Sequence, residues 1–532
     1  MSNGLAAGTP ILHADNTIPG VPIPPEIQEL MPTIDKELKA WGLDYYPAII
    51  EMLEYDQMSE VAAYGGFPVR YPHWKWGMEY DELARGYEHG WSKIYEMVVN
   101  TSPYCYIYCQ SNNDLIDNVT VIIHALGHSD FFKNNIFFEP TDGNMMNQLA
   151  DNAMRIRKYM ARWGKDTVVK FIDHVLRIGT LTDPTKAWDS KKINEVVVRD
   201  KRVVQHPRRF KVDSPYMEDW INTKEWLDGE KERISKADIR SQLDIFGSPV
   251  RDVFGFIKDY ADFKPWQQDI ISILYDENMY FSPQGATKML NEGWASMIDY
   301  KLGACEGMVA LGQKAHDMGI IHYAKHKMGV LGGKYSQNPY KLGFELLSDI
   351  EDRWNKGKFG KEWEECTNMK EREDWDKNLG LGKQKMFDVR ANYNDFTALL
   401  EFFTPEFCEK MEYYETKWFP NGETKIDGRD FKTIKSRLLQ RYMNRGLPDI
   451  RLVDSNHRNN GWMLLQHFWD DRPLYDSYCR ETMTSLNALW GDTVLLETQT
   501  MDGEEIIYIC EGEDPKKDVV VLSREEYENT FK

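Results

Sequence analysis

The stretch that most constrains what this chain can fold into is DLIDNVTVIIHALGHSDFFKNN, residues 114–135. Leu115, Val119, Ile122, Ile123 and Leu126 recur with a helical period, and Asn113 or Asp114 stands where an N-cap belongs. The stretch therefore reads as a buried amphipathic helix with a core built around it. His124 and His128 lie on it four residues apart. Side chains at that spacing leave one face with Cβ atoms about 5–6 Å apart, which lets two imidazoles bind one metal ion. Gly127 sits between them, and a glycine inside a helix costs about 1 kcal/mol relative to alanine. A close approach by another backbone or by a substrate is the expected reason for it. Histidines so spaced can equally be core residues hydrogen-bonded to backbone carbonyls. The position after His124 is Ala125, so the glutamate that serves as base in an HExxH helix is missing.

A second block carries the next candidate ligand. DIISILYDENMYF predicts an apolar helix, and Ser282-Pro283 predicts the N-cap and first position of another, PQGATKMLNEGWASMIDYKLG. In gluzincin-type peptidases a glutamate on a separate downstream helix joins the paired histidines, and Glu292 would fill that role by analogy. The separation, 292 − 128 = 164 residues, is long for that class, so the analogy concerns arrangement and not ancestry. Most glutamates lie on helix surfaces, but Gly293, Trp294, Ala295 and Met297 place this turn inside. A buried glutamate needs a cation or a hydrogen-bond partner. Two histidines and one glutamate leave a fourth position for a water whose pKa falls to about 7 on zinc. The cofactor expected is thus a divalent metal, zinc first.

The missing base has several candidates. Asp130, Glu345 and Asp349 are possible general bases, and Asp130 could instead orient a histidine. His326, paired with His322 in a third block, could donate to a tetrahedral oxyanion. The glycines that follow, in GVLGGK, lack the spacing and the Ser/Thr of a P-loop, so ATP binding is not supported. Polar residues among aromatics, His73, Glu79 and Glu88, read as hydrogen-bonded or solvated, and the lone helical His174 as structural.

Composition narrows the partners. With 65 Lys and Arg against 85 Asp and Glu, the net charge is −20, which repels phosphate backbones and anionic lipid. Nucleic acid is not an expected partner. No run of eighteen apolar residues occurs and the N-terminus lacks a basic region before an apolar one, so neither membrane insertion nor a secretory signal is expected. The seven cysteines are scattered with no CxxC, the pattern of reduced thiols in a cytoplasmic protein. Cys105 and Cys109 could join a metal site, although packing is the commoner role.

The fold class expected is mainly α (α+β), with a large helical, zincin-like domain followed by a small C-terminal α+β domain. Residues 1–31 read as an extended Pro/Gly-rich tail. Residues 32–445 form the main domain. Within it lie two helices broken near Gly42 to Pro47, a loop or short strands at 67–80, two periodic helices ended by Pro184, and a loop-rich insertion at 185–263. From 446 to 532 the pattern changes to five strands, one helix and a hairpin turn at Met501-Asp502-Gly503.

Several ordered blocks together resemble the SpoVR family, named for stage V sporulation protein R. They are YPHWKWGMEYDEL (71–83), IYEMVVNTSPYCYIY (94–108), HALGHSDFFKNN (124–135), LNEGWASMIDY (290–300), NPYKLGFELLSDIEDRW (338–354) and ALWGDTVLLET (488–498). The resemblance implies a sporulation, spore cortex or stress context, and partners in a PrkA-type serine kinase and a von Willebrand A-domain protein. Family members often carry an aromatic-His pair where this chain has Ile298-Asp299, a departure that bears on the metal site. Two functions stand side by side. One is a metal-dependent hydrolase acting on an amide or peptide bond. The other is a non-catalytic regulator or scaffold working with the kinase and the A-domain protein.

Overall fold

The structure is a computed structural model that describes residues 11–13, 21–88, 96–186, 224, 228, 249–303, 338–418 and 424–531. His322, His326, the glycines beside them and most of the expected insertion at 185–263 lie outside the described residues. The chain divides into two units, Met1–Lys158 with Tyr280–Gly446 and Tyr159–Met279 with Leu447–Lys532. Helices dominate, and the C-terminal segment carries a small sheet. Among the described residues no helix is long and apolar enough to cross a membrane.

The elements of the first unit run β1 (Ile11–His13), α1 (Pro25–Trp41), β2 (Ala48–Leu53), α2 (Tyr55–Ala63), α3 (Trp74–Glu88), β3 (Glu96–Val99), β4 (Cys105–Gln110) and α4 (Leu115–Asn134). There follow α5 (Met145–Trp163), α6 (Lys165–Arg177), α7 (Val253–Tyr260) and α8 (Pro265–Ala286), of which α6, α7 and most of α8 belong to the second unit. The first unit resumes with α9 (Lys288–Ile298), α10 (Pro339–Lys356), α11 (Gly382–Asn392), α12 (Asp395–Phe402) and the antiparallel pair β5 (Glu415–Trp418) and β6 (Thr424–Gly428). Its sheet has the order β1-β2-β4-β3, with β1, β2 and β4 parallel and β3 antiparallel to β4 at the edge.

Three sequence expectations change here. Ala48–Leu53 is a strand where a helix was expected; it is buried along its whole length between β1 and β4. A short continuous apolar run does not distinguish a doubly covered strand from a buried helix. The first helix starts at Pro25, not Pro32, with that proline in the first turn, where its missing N–H costs nothing. Trp74–Glu88 is helical although a loop or strands were expected up to residue 80.

The sheet separates two clusters. Ala48, Ile50, Met52, Ile107 and Cys109 pack toward α4 in the main core. Leu53, Val99 and Tyr108, from the other face, pack with Met58, Val61, Met145 and Leu149. Helix α4 is buried on every side from Asn118 to Phe132, so it is a central helix and not an amphipathic one. Gly127 admits α9, for a Cβ there would lie 3.0 Å from the Cα of Ala295. The close backbone approach expected of this glycine is thereby found.

Helix α8 runs through Pro283, and the break falls at Thr287, whose hydroxyl donates to the Pro283 carbonyl at 2.7 Å. The expected cap at Ser282-Pro283 is thus replaced by one supplied from elsewhere. Asp395, at the start of α12, accepts from the backbone N–H of Met289 and Leu290 at 2.8 and 2.9 Å and so caps α9. Helix α9 then meets α10 where Gly293 faces Gly343.

The second unit holds β7 (Ile450–His457), β8 (Trp462–His467), β9 (Val494–Gln499), β10 (Glu505–Cys510) and β11 (Val519–Ser523) in the order β11-β10-β9-β8-β7. These are the five expected strands. The helix Asp476–Trp490 makes the crossover between parallel β8 and β9, and Gly503, at φ +82°, turns the β9–β10 hairpin. Helix α6 packs on that crossover helix, with His174 Nδ1 3.2 Å from Ser485 Oγ.

Candidate metal centre

Three elements of the first unit converge on one cluster of acids and imidazoles. Helix α4 supplies His124 and His128, whose ring centroids lie 4.7 Å apart. Helix α9 supplies Glu292, and Glu96 opens β3. One Glu292 oxygen, Oε2, lies 3.5 Å from His124 Nε2 and 3.4 Å from His128 Nε2. Glu96 Oε1 lies 3.8 Å from His124 Nε2. Ligand atoms of Glu96, His124 and His128 all fall within 4.8 Å of one another, so this triad could hold a metal ion.

Both histidines and Glu292 are buried. His128 is fixed by Asn291, the residue before Glu292, whose Oδ1 lies 2.9 Å from His128 Nδ1. An amide oxygen only accepts, so Nδ1 donates this bond, and Nε2 is the ring nitrogen that faces Glu292. The neighbouring turns of α9 therefore deliver both a carboxylate and the group that orients its histidine.

The electrostatics are those of acids gathered around an imidazole. Burial alone would lower the His124 pKa, yet Glu292, Glu96 and Asp299 around it push it up to about 9. Burial acts to raise Glu292, but His128, His124 and Lys288 hold it well below the usual carboxylate range. Asp299 follows Glu292 by two helical turns; burial raises it to about 7 against the pull of His124, with Glu96 adding to the rise. Its Oδ1 is buried with no hydrogen-bond partner. The aspartate thus faces the same cluster as His124 and Glu96.

The other predicted residues are engaged differently. Asp130 is fully buried, and it accepts from the Asp44 N–H at 2.7 Å, Trp294 Nε1 at 2.9 Å and Arg390 Nη1 at 2.8 Å. Burial raises its pKa to about 6, against the opposing pull of Arg390. Two residues past His128, its side chain leaves α4 on another face from the histidines. Glu345 pairs with Lys410 at 3.2 Å and Asp349 with Arg353 at 2.8 Å. Asp130, Glu345 and Asp349 are thus committed to basic partners of their own. Cys105 and Cys109 are free and buried on β4, and burial holds both thiols above their usual range, with the Glu96 charge adding to Cys109.

Sequence reasoning missed Glu96. Its only signal was an acid opening the apolar strand EMVV, and what places it is its register opposite Cys109. Tyr340 was also missed; its phenol lies beside Glu292, and burial followed by the Glu292 and Glu96 charges raises its pKa.

Comparison with known proteins places nearly the whole chain. It matches the family described as SpoVR like protein over residues 24–447 and the SpoVR-like C-terminal domain over residues 448–501. It is 27% identical over 512 residues to Uncharacterized protein YcgB of Escherichia coli (strain K12), a match covering 90% of this chain and 92% of that protein. No solved structure matches it. The two family matches span every block on which the resemblance rests, and the chain belongs to the SpoVR family.

Proposed function

We propose that this SpoVR-family chain is a metal-dependent enzyme acting on an amide or peptide bond, with His124, His128 and Glu292 as ligands of one divalent ion, zinc first. The observation that carries the reading is the pair of 3.4 and 3.5 Å separations between Glu292 Oε2 and the two Nε2 atoms. They are longer than ordinary hydrogen bonds. They match the edge of a tetrahedron whose bonds are about 2.0–2.1 Å, which is about 3.3–3.4 Å. The unpartnered Oδ1 of Asp299 and the excess of carboxylates over cations fit an ion at the same place. When bound, such an ion supplies Lewis acidity at neutral pH.

The chain's own residues would do the rest. Asn291 keeps the His128 lone pair aimed inward. Glu96 takes the part that Ala125 leaves open, as the acid that accepts a proton. Its side chain is 22% exposed against 7% for Glu292, so it is the carboxylate that water and substrate can reach. A zincin-like arrangement belongs to the same proposal, because antiparallel β3 edges an otherwise parallel sheet beside the histidine helix.

The test is the metal content of the purified chain beside His128→Ala and Glu292→Gln. About one ion per chain in the wild type, lost in both variants while circular dichroism keeps the helical signal, is the expected result. Metal-free wild type whose melting ignores a chelator overturns the reading. The implied kinase and A-domain partners and a cytoplasmic setting are further proposals. Co-purification of the kinase or the A-domain protein with the intact chain is the expected result for the first.

A further inference from the structure

We infer that Lys288 and Tyr340 are positioning residues of the metal centre: Lys288 holds Glu292 by its outer oxygen and Tyr340 buttresses that pair, so that Oε2 alone faces the histidines. The inference rests on the metal reading above. Lys288 is one turn before Glu292 on α9, and its ammonium is paired with Oε1, the oxygen turned away from His124 and His128. Tyr340 reaches the same corner from α10, its phenol beside the Glu292 carboxylate. The two partners also touch each other, Lys288 Nζ lying 5.6 Å from the centroid of the Tyr340 ring.

The sequence builds Tyr340 into place. Asn338 caps α10, its Oδ1 accepting from the Tyr340 N–H at 3.0 Å, and Pro339 sets the first turn. Three residues later Gly343 lets α10 close onto Gly293, the neighbour of Glu292. Cap and crossing together bring the phenol to the carboxylate.

An ordinary Lys–Glu pair at i, i+4 lies on a helix surface and is worth little. This pair differs, because the Glu292 side chain is only 7% exposed while the Lys288 side chain is 56% exposed. The lysine therefore reaches inward from solvent to an acid that is already in the cluster. A carboxylate pinned at one oxygen has lost its rotational freedom before an ion arrives, and it can offer that ion one oxygen. Groups that orient a ligand in this way are typically worth about 10–100-fold in metal affinity.

The experiment is chelator competition for zinc, and the visible spectrum with cobalt(II), on the intact chain. The variants are Lys288→Met, Lys288→Arg, Tyr340→Phe and, as a surface control, Lys356→Met, which breaks an exposed pair with Asp352. Lys288→Met and Tyr340→Phe are each expected to weaken zinc binding about 10–100-fold and to alter the cobalt spectrum. Lys288→Arg restores most of the affinity, and Lys356→Met binds like the wild type. Wild-type affinity and spectrum in both Lys288→Met and Tyr340→Phe overturn the inference while leaving the metal site standing. A wild type that binds neither ion overturns both. If Tyr340→Phe does not fold, Lys288→Met, changed at an exposed stem, decides alone.

Discussion

Two buried carboxylates join α4 to α9, and they are satisfied in different ways. Asp130 points from α4 to Trp294 of α9 and is finished by direct donors, with Arg390 and the Asp44 N–H completing its set at 2.7–2.9 Å. Glu292 points from α9 to the histidines of α4, and the gaps of 3.4 and 3.5 Å leave room for an ion between ligands. One contact closes the helix pair by itself. On the proposed metal reading the other closes around an ion, so the first should govern stability and the second should govern metal binding.

The largest effect expected is on the finished pair. Arg390→Met leaves the Asp130 charge buried with only neutral donors, and losing one partner of a buried pair costs about 3–5 kcal/mol. Urea denaturation measures it, and the folded fraction should keep its metal. Glu292→Gln should do the reverse, losing the ion and only the stability that the bound ion adds. If both variants shift stability alike and leave metal content alike, the division between the two carboxylates fails.

The next effect acts on the crossing that presents Glu292. A Cβ on Gly343 would lie 2.0 Å from the Met289 carbonyl oxygen and 2.9 Å from the Gly293 Cα, all of it backbone that cannot turn aside. Gly343→Ala should therefore force α9 and α10 apart at a cost of about 1–3 kcal/mol. Because α9 carries both Glu292 and Asn291, metal affinity should fall with stability in this variant, whereas Arg390→Met separates them. An unchanged melting temperature with full metal content would show that the helices can slide to admit the methyl group.

What was legible in the sequence follows from how far each signal reaches along the chain. The strands of the second unit alternate and end in turn residues, and all five were readable. The histidine helix and Glu292 were readable because an i, i+4 pair and an acid among small and aromatic neighbours are local patterns. Asp130 looked catalytic because its partner Arg390 is 260 residues away. Glu96 was invisible because only the pairing of β3 with β4 brings it beside His124. The end of α8 was misplaced for the same reason: its break depends on Asp395, over 100 residues downstream.

Asp395 is a third buried carboxylate and stands between the other two, since it has donors but no cation in direct contact. Burial raises its pKa to about 7, against the opposing N–H groups of Leu290 and Met289 and the more distant Lys288. In the unfolded chain an aspartate titrates near 3.9. Between those values the folded state holds a proton that the unfolded state has lost. Stability from this group is thus fully present below about pH 4 and is lost as the pH rises through about 7. Asp395→Asn keeps an acceptor for the cap without the charge, so its urea stability should fall less than the wild type's between pH 4.5 and 7.5, by on the order of 1–2 kcal/mol. Equal slopes would mean that the two N–H groups and the α9 dipole stabilise the ionised form fully, which would make Asp395 a finished contact like Asp130.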